Sequence, residues 1–134
     1  PQRMHSRNSF TLHHRGSVSN CYTQLFNMSF IKISELRSKE FAPGFHGRFI
    51  HSANMTVAHW DIRQGAAIPV HHHVHEMIVN VISGKLELTI DKETKVLEAG
   101  MSAIIPSNVP HTAKGITDCK VIDVFYPVRE DYRI

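Results

Sequence analysis

Residues 65–84 read GAAIPVHHHVHEMIVNVISG and gather four imidazoles, His71, His72, His73 and His75, at the mouth of an apolar strand. Residues 100–111, GMSAIIPSNVPH, deliver one more, His111, after a strand and a proline turn. Imidazole is the commonest protein ligand for transition metals at neutral pH, where it is largely unprotonated. Two such ligands at i and i+2, joined by a third from a distant strand, make a facial metal site inside a barrel. Strand alternation turns His72 and Glu76 away from the face that carries His71 and His73. His75 has the parity to face inward and is a candidate extra ligand, unless a kink at Val74 redirects it.

The elements that must position these rings are short strands. Residues 77–82 form an apolar run broken only by Asn80, as in a buried strand, and Ser83-Gly84 turns the chain. Residues 85–90 alternate, with Leu86, Leu88 and Ile90 inward and Lys85, Glu87 and Thr89 outward. Asp91-Lys92-Glu93 reads as a hairpin tip, and further strands are predicted at 48–51, 55–62, 95–97, 102–105 and 117–125. Pro43-Gly44 is a turn, and one short helical turn is predicted around residues 34–37. Many short strands with proline-ended loops predict an all-β fold, a small jelly-roll barrel.

With 134 residues the chain has the length of one domain with a real core, and 42% hydrophobic with 20% charged residues is ordinary for a globular protein. No apolar run approaches the roughly 20 residues needed to cross a bilayer. The net charge of +3 comes from residues 1–27, which hold Arg3, Arg7 and Arg15 and no acid; the other 107 residues balance twelve basic against twelve acidic groups. No basic stripe with interleaved aromatics is present, so neither nucleic acid nor a membrane is an expected partner. Cys21 and Cys119 are too far apart for a metal-type CxxC pair and are read as free thiols, which suggests a reducing compartment and the cytoplasm. The predicted organisation is an N-terminal extension over 1–27 and a barrel domain over 28–134. The extension is read as upstream sequence before a start at Met28, as an arm docked on the barrel or a second subunit, or as a targeting peptide.

The two histidine stretches resemble the paired motifs of the cupin superfamily, the RmlC-like barrels. Their first motif is G-x5-H-x-H-x3,4-E-x6-G, and here Gly65, His71, His73, Met77 and Gly84 fall at its spacing. The second is G-x5-P-x-G-x2-H-x3-N, matched in spacing by Gly100, Pro106, Asn108, His111 and Gly115. The resemblance implies a cupin jelly roll and metal ligands at His71, His73 and His111, with one divalent ion such as Zn, Ni, Fe or Mn. Three positions depart from the pattern. Met77 replaces the carboxylate or amide ligand, which weakens binding and leaves coordination positions for water or substrate; packing in the core is its alternative role. Asn108 replaces a glycine and tolerates a left-handed backbone better than most residues. Gly115 replaces the last Asn.

The segment from Val121 to Tyr132, VIDVFYPVREDY, is similar to the ending of the pectin-degradation cupins, which linearise 4,5-unsaturated uronates; the resemblance covers residues 29–133. It implies functional roles for Asp123, Phe125 and Arg129. Alternation agrees in placing Cys119, Val121, Asp123 and Phe125 on one face. If that face is inward, Asp123 is a buried carboxylate that needs compensation; if not, Ile122 and Val124 form the core. The implied activity is conversion of an unsaturated monouronate from pectin or alginate to a linear keto sugar acid. In it Asp123 and Arg129 are catalytic, and Phe125 and Arg48 contact the substrate. A three-histidine iron dioxygenase and a non-enzymatic barrel that binds or senses a sugar acid are the alternatives. Pairing through strand edges makes a homodimer the expected assembly.

Overall fold

A computed structural model of the chain describes residues 29–134; Cys21 and the extension over 1–27 lie outside the described residues. Residues Ile33–Ile134 form one compact unit. Among the described residues nine strands run in order: β1 (Lys39–Ala42), β2 (Phe45–His51), β3 (Thr56–Ile62), β4 (Glu76–Ser83), β5 (Lys85–Ile90), β6 (Glu93–Glu98), β7 (Ser102–Ile105), β8 (His111–Gly115) and β9 (Cys119–Tyr126). Single 3-10 turns lie at Ile33–Glu35 and Glu130–Tyr132. One sheet has six strands in the order β1-β2-β3-β9-β4-β7 and the other three in the order β6-β5-β8, all paired antiparallel. This is the jelly-roll sandwich expected of the strand pattern.

Inward residues of both sheets meet in a single core. Phe45 and Phe49 come from β2, Ala58, Trp60 and Ile62 from β3, and Val79 and Val81 from β4. Leu86 and Leu88 face them from β5, and Leu97 from β6. Such side chains each contribute roughly 1.5–3 kcal/mol on full burial. The strict alternation of burial in β3 and β9 sets the parity of every functional side chain on those strands.

Two strands were not legible as strands. Lys39–Ala42 has only two apolar residues, and His-Thr-Ala-Lys-Gly in β8 has no apolar alternation; β8 exists because it pairs with β5. The hairpin tip is also tighter than predicted. Glu93 pairs with Ile90, so Asp91 and Lys92 alone make the turn, with Asp91 at φ 55°. Asn108 does adopt the left-handed backbone, at φ 62°. Gly84, at φ 79°, could not be another residue, because a Cβ there would lie 2.1 Å from the Asp118 carbonyl oxygen.

Candidate metal centre and its cavity

His71 and His73 lie in the connection between β3 and β4, not within a strand. The connection is nonetheless tied to β8 by isolated bridges, and at one of them His71 and His111 exchange backbone hydrogen bonds of 3.0 and 2.9 Å. That bridge puts the two rings 4.3 Å apart, and the i, i+2 relation brings the His73 ring to 5.0 Å from that of His111. One nitrogen from each of the three rings lies within 4.8 Å of the others.

Each ring is aimed by its own Nδ1–H. His71 donates to the Pro69 carbonyl at 2.8 Å, His73 to that of His75 at 3.0 Å, and His111 to that of Val109 at 2.8 Å. A carbonyl can only accept, so the lone pair of each ring stands on Nε2. The Nε2 of His73 is buried with no hydrogen-bond partner. Burial, helped by the Arg129 and His111 charges, pushes His73 down to about 4, and burial also lowers His111. Three imidazoles that turn Nε2 toward a common point, the one on His73 buried and unpartnered, are the donor set a divalent transition metal requires, so the residues fit such an ion.

His72 is exposed and Glu76 points outward, as alternation requires. His75 does not join the cluster. Its Nε2 donates toward the Val128 carbonyl at 3.2 Å, and it stands outside the group of possible ligands. Met77 is buried in the core, in register with Ile105 and Phe125.

The three histidines open on a cavity of about 360 Å³, at the small end of the roughly 300–1,000 Å³ usual for ligand pockets. Asp123 and Phe125 face into it from β9, as the inward reading required. Asp123 is 9% exposed and lies between Ala58 and Val79 on the neighbouring strands. Its Oδ2 accepts a hydrogen bond from Trp60 Nε1 at 3.0 Å, while Oδ1 is buried and unpartnered. Burial pushes this carboxyl up to about 7, against the opposing pull of the Trp60 N–H and the Arg129 charge. The Phe125 ring stands 5.8 Å from that of His73. Arg129 is buried at the cavity wall, its guanidinium carbon 4.8 Å from the Phe125 centroid and 4.0 Å from that of Tyr132.

Arg48 does not reach this cavity. Phe45, Gly47 and Phe49 take the inward parity of β2, so Arg48 faces outward. There it donates to the Leu36 carbonyl at 3.2 Å, pairs with Asp61 at 3.5 Å and lines a separate groove with Lys120 and Asp118. The substrate contact expected of it is corrected on this parity. Sequence reasoning also missed Trp60, Asp131 and Tyr132. Trp60 had a readable signal, because it is the single tryptophan and shares the inward parity of Ala58 and Ile62.

The sequence matches the family described as Cupin domain over residues 58–125. Among solved structures, it is similar to an RmlC-like cupin from Shewanella frigidimarina, with a TM-score of 0.75 and 27% identity over 78% of this chain and 96% of the other. KdgF from Halomonas sp. gives a TM-score of 0.74 and 27% identity over 78% and 98%. A quercetin 2,3-dioxygenase from Bacillus subtilis is 47% identical over 51 residues, 37% of this chain and only 15% of that protein. The family match spans half of the sequence and contains all three clustered histidines together with Asp123, so the chain belongs to the cupins.

Proposed function

We propose that this cupin holds one divalent transition metal at His71, His73 and His111 and converts 4,5-unsaturated monouronates, released from pectin or alginate, to the linear keto sugar acid. The observation that carries this reading is Asp123, a buried carboxylate with an unpartnered oxygen in the same cavity as the histidines. Natural folds retain such a group only with compensation or for chemistry. The similarity to KdgF and the shared ending with the pectin-degradation cupins support the choice of substrate.

The net reaction is an isomerisation. The proton leaves the hemiacetal hydroxyl at C1 as the bond from C1 to the ring oxygen breaks, giving an aldehyde and an enolate with its charge on the former ring oxygen. The enolate then takes that proton at C4 and becomes the ketone. In this reading Asp123 Oδ1 accepts the first proton and returns it to C4, a role supported by a carboxyl pushed up to about 7, which serves both directions. Arg129 binds the uronate carboxylate, and Phe125 covers the apolar edge of the ring. A bound Zn, Ni, Fe or Mn ion would supply Lewis-acid polarisation of a substrate oxygen. Metal-loaded protein mixed with unsaturated galacturonate should speed the loss of the enol-ether absorbance; a rate equal to buffer removes the reading.

A second reading has its own observation, the local identity to quercetin 2,3-dioxygenase. Oxygen uptake by the iron-loaded protein with a flavonol or β-diketone would favour it. A barrel that binds a sugar acid without turnover would take up galacturonate and show neither activity.

The partner that best suits the outer face of the larger sheet is a second copy of this chain. Ile104, Ile78, Val124, Val57 and Ile50 are direct cross-strand neighbours over β7, β4, β9, β3 and β2 and all point outward. Ile104 is 70% exposed and Tyr126, on the flank of this row, 53%. A continuous apolar row on the solvent face of an antiparallel sheet is the mark of an interface.

A further inference from the structure

The guanidinium of Arg129 already holds a carboxylate. Its Nε donates to Asp131 Oδ1 at 2.9 Å and its Nη2 to Oδ2 at 2.6 Å, the two-pronged pairing that a uronate carboxylate would also make. The two partners are unequal in every other respect. The Arg129 side chain is 10% exposed and stacked against Phe125 and Tyr132, and its backbone N–H donates to the fully buried Thr56 Oγ1 at 2.9 Å. Asp131 is 58% exposed on a single 3-10 turn. The cation is fixed, and the anion can leave for water at small cost. Both residues line the cavity with the three histidines and Asp123.

We propose that Asp131 is a built-in stand-in for the ligand's carboxylate. It neutralises the buried Arg129 while the cavity is without substrate, and it swings into solvent when a sugar-acid carboxylate takes over the Nε–Nη2 edge. This rests on the reading of Arg129 as the uronate-binding cation. The exchange sets selectivity. A small monocarboxylate offers nothing beyond what Asp131 already supplies, whereas a sugar acid adds contacts with the rest of the cavity.

The test uses binding, so it is read whether or not the protein turns anything over. Saturated galacturonate and acetate are the probes, with calorimetry and thermal melting on the metal-loaded protein. Asp131→Ala should bind galacturonate on the order of ten-fold tighter than the parent protein. Acetate should raise the melting temperature of Asp131→Ala and leave that of the parent unchanged. The methyl ester of galacturonate should show no gain. If Asp131→Ala folds poorly, Asp131→Asn keeps one acceptor and should show the same trend at smaller size. Equal or weaker galacturonate binding by the variants, without acetate stabilisation, overturns the proposal and makes Asp131 a positioning residue for Arg129. Absence of ring opening on unsaturated galacturonate would instead sink the proposed reaction and leave the exchange standing.

Discussion

Trp60 and Asp123, on adjacent strands β3 and β9, share one hydrogen bond of 3.0 Å that occupies Oδ2 and leaves Oδ1 facing the cavity alone. The indole fixes the rotamer of the carboxylate and favours its charged form; burial disfavours that form more strongly. Trp60→Phe should therefore move the acid limb of the rate profile to higher pH, because Asp123 then ionises later. A profile that keeps its position would mean Asp123 does not supply that limb.

Asp123→Asn removes the proton carrier and keeps the shape. Ring-opening rate should fall by roughly 10²–10⁴-fold, the usual worth of a positioned acid or base. Unchanged binding of galacturonate, checked by calorimetry, would separate this loss from a damaged pocket.

The same residue links stability to pH in the metal-free protein. The folded state holds the Asp123 proton to about pH 7, against an ordinary value of 3.8, so its contribution is full below pH 3.8 and lost as pH rises through 7. His73 runs the other way. Its pKa falls from 6.5 to about 4, so its contribution is full above pH 6.5 and lost as pH falls through 4. Denaturation midpoints should show Asp123→Asn gaining on the parent as pH rises from about 4 to about 7. Parallel curves would contradict the buried, proton-holding carboxyl.

Removal of a ligand ring reads the metal centre directly. His111→Ala and His73→Ala should lose bound zinc or nickel by elemental analysis after dialysis, while His72→Ala and His75→Ala keep it. Met77→Glu restores the missing carboxylate. It should tighten metal binding by about ten-fold or more in a chelator competition, and destabilise the metal-free form, where the new charge is buried without a partner.

Lysine at Ile78 and Ile104 together tests the outer face. A dimer by light scattering that becomes a monomer in the double variant, with the melting curve of the barrel retained, is the expected result. A monomeric parent protein would remove the second copy as partner.

Much of this fold was written in two local signals. Motif glycines at 65, 84 and 100 adopt positive φ, and clean alternation in β5 marked which residues face inward. The parity of β9 put Asp123 and Phe125 on one face without choosing between that face and the one of Ile122 and Val124; the resemblance of the ending pointed to the first, which is the buried one. β8 was not readable, because His-Thr-Ala-Lys-Gly is a strand only through its pairing with β5. Arg48 misled because a positive charge near a presumed site says nothing about the face it occupies; the inward phenylalanines on either side of it did. Asp131 was invisible as a partner, since its bond to Arg129 depends on a turn and on two aromatic faces drawn from other segments.

The backbone bridge between His71 and His111 joins the lead-in of β4, from the six-stranded sheet, to β8 of the three-stranded one. An ion seated there would act as a clasp across the sandwich. Parting the two layers and releasing the ion then become one event, so heat resistance should track the free metal concentration in the buffer.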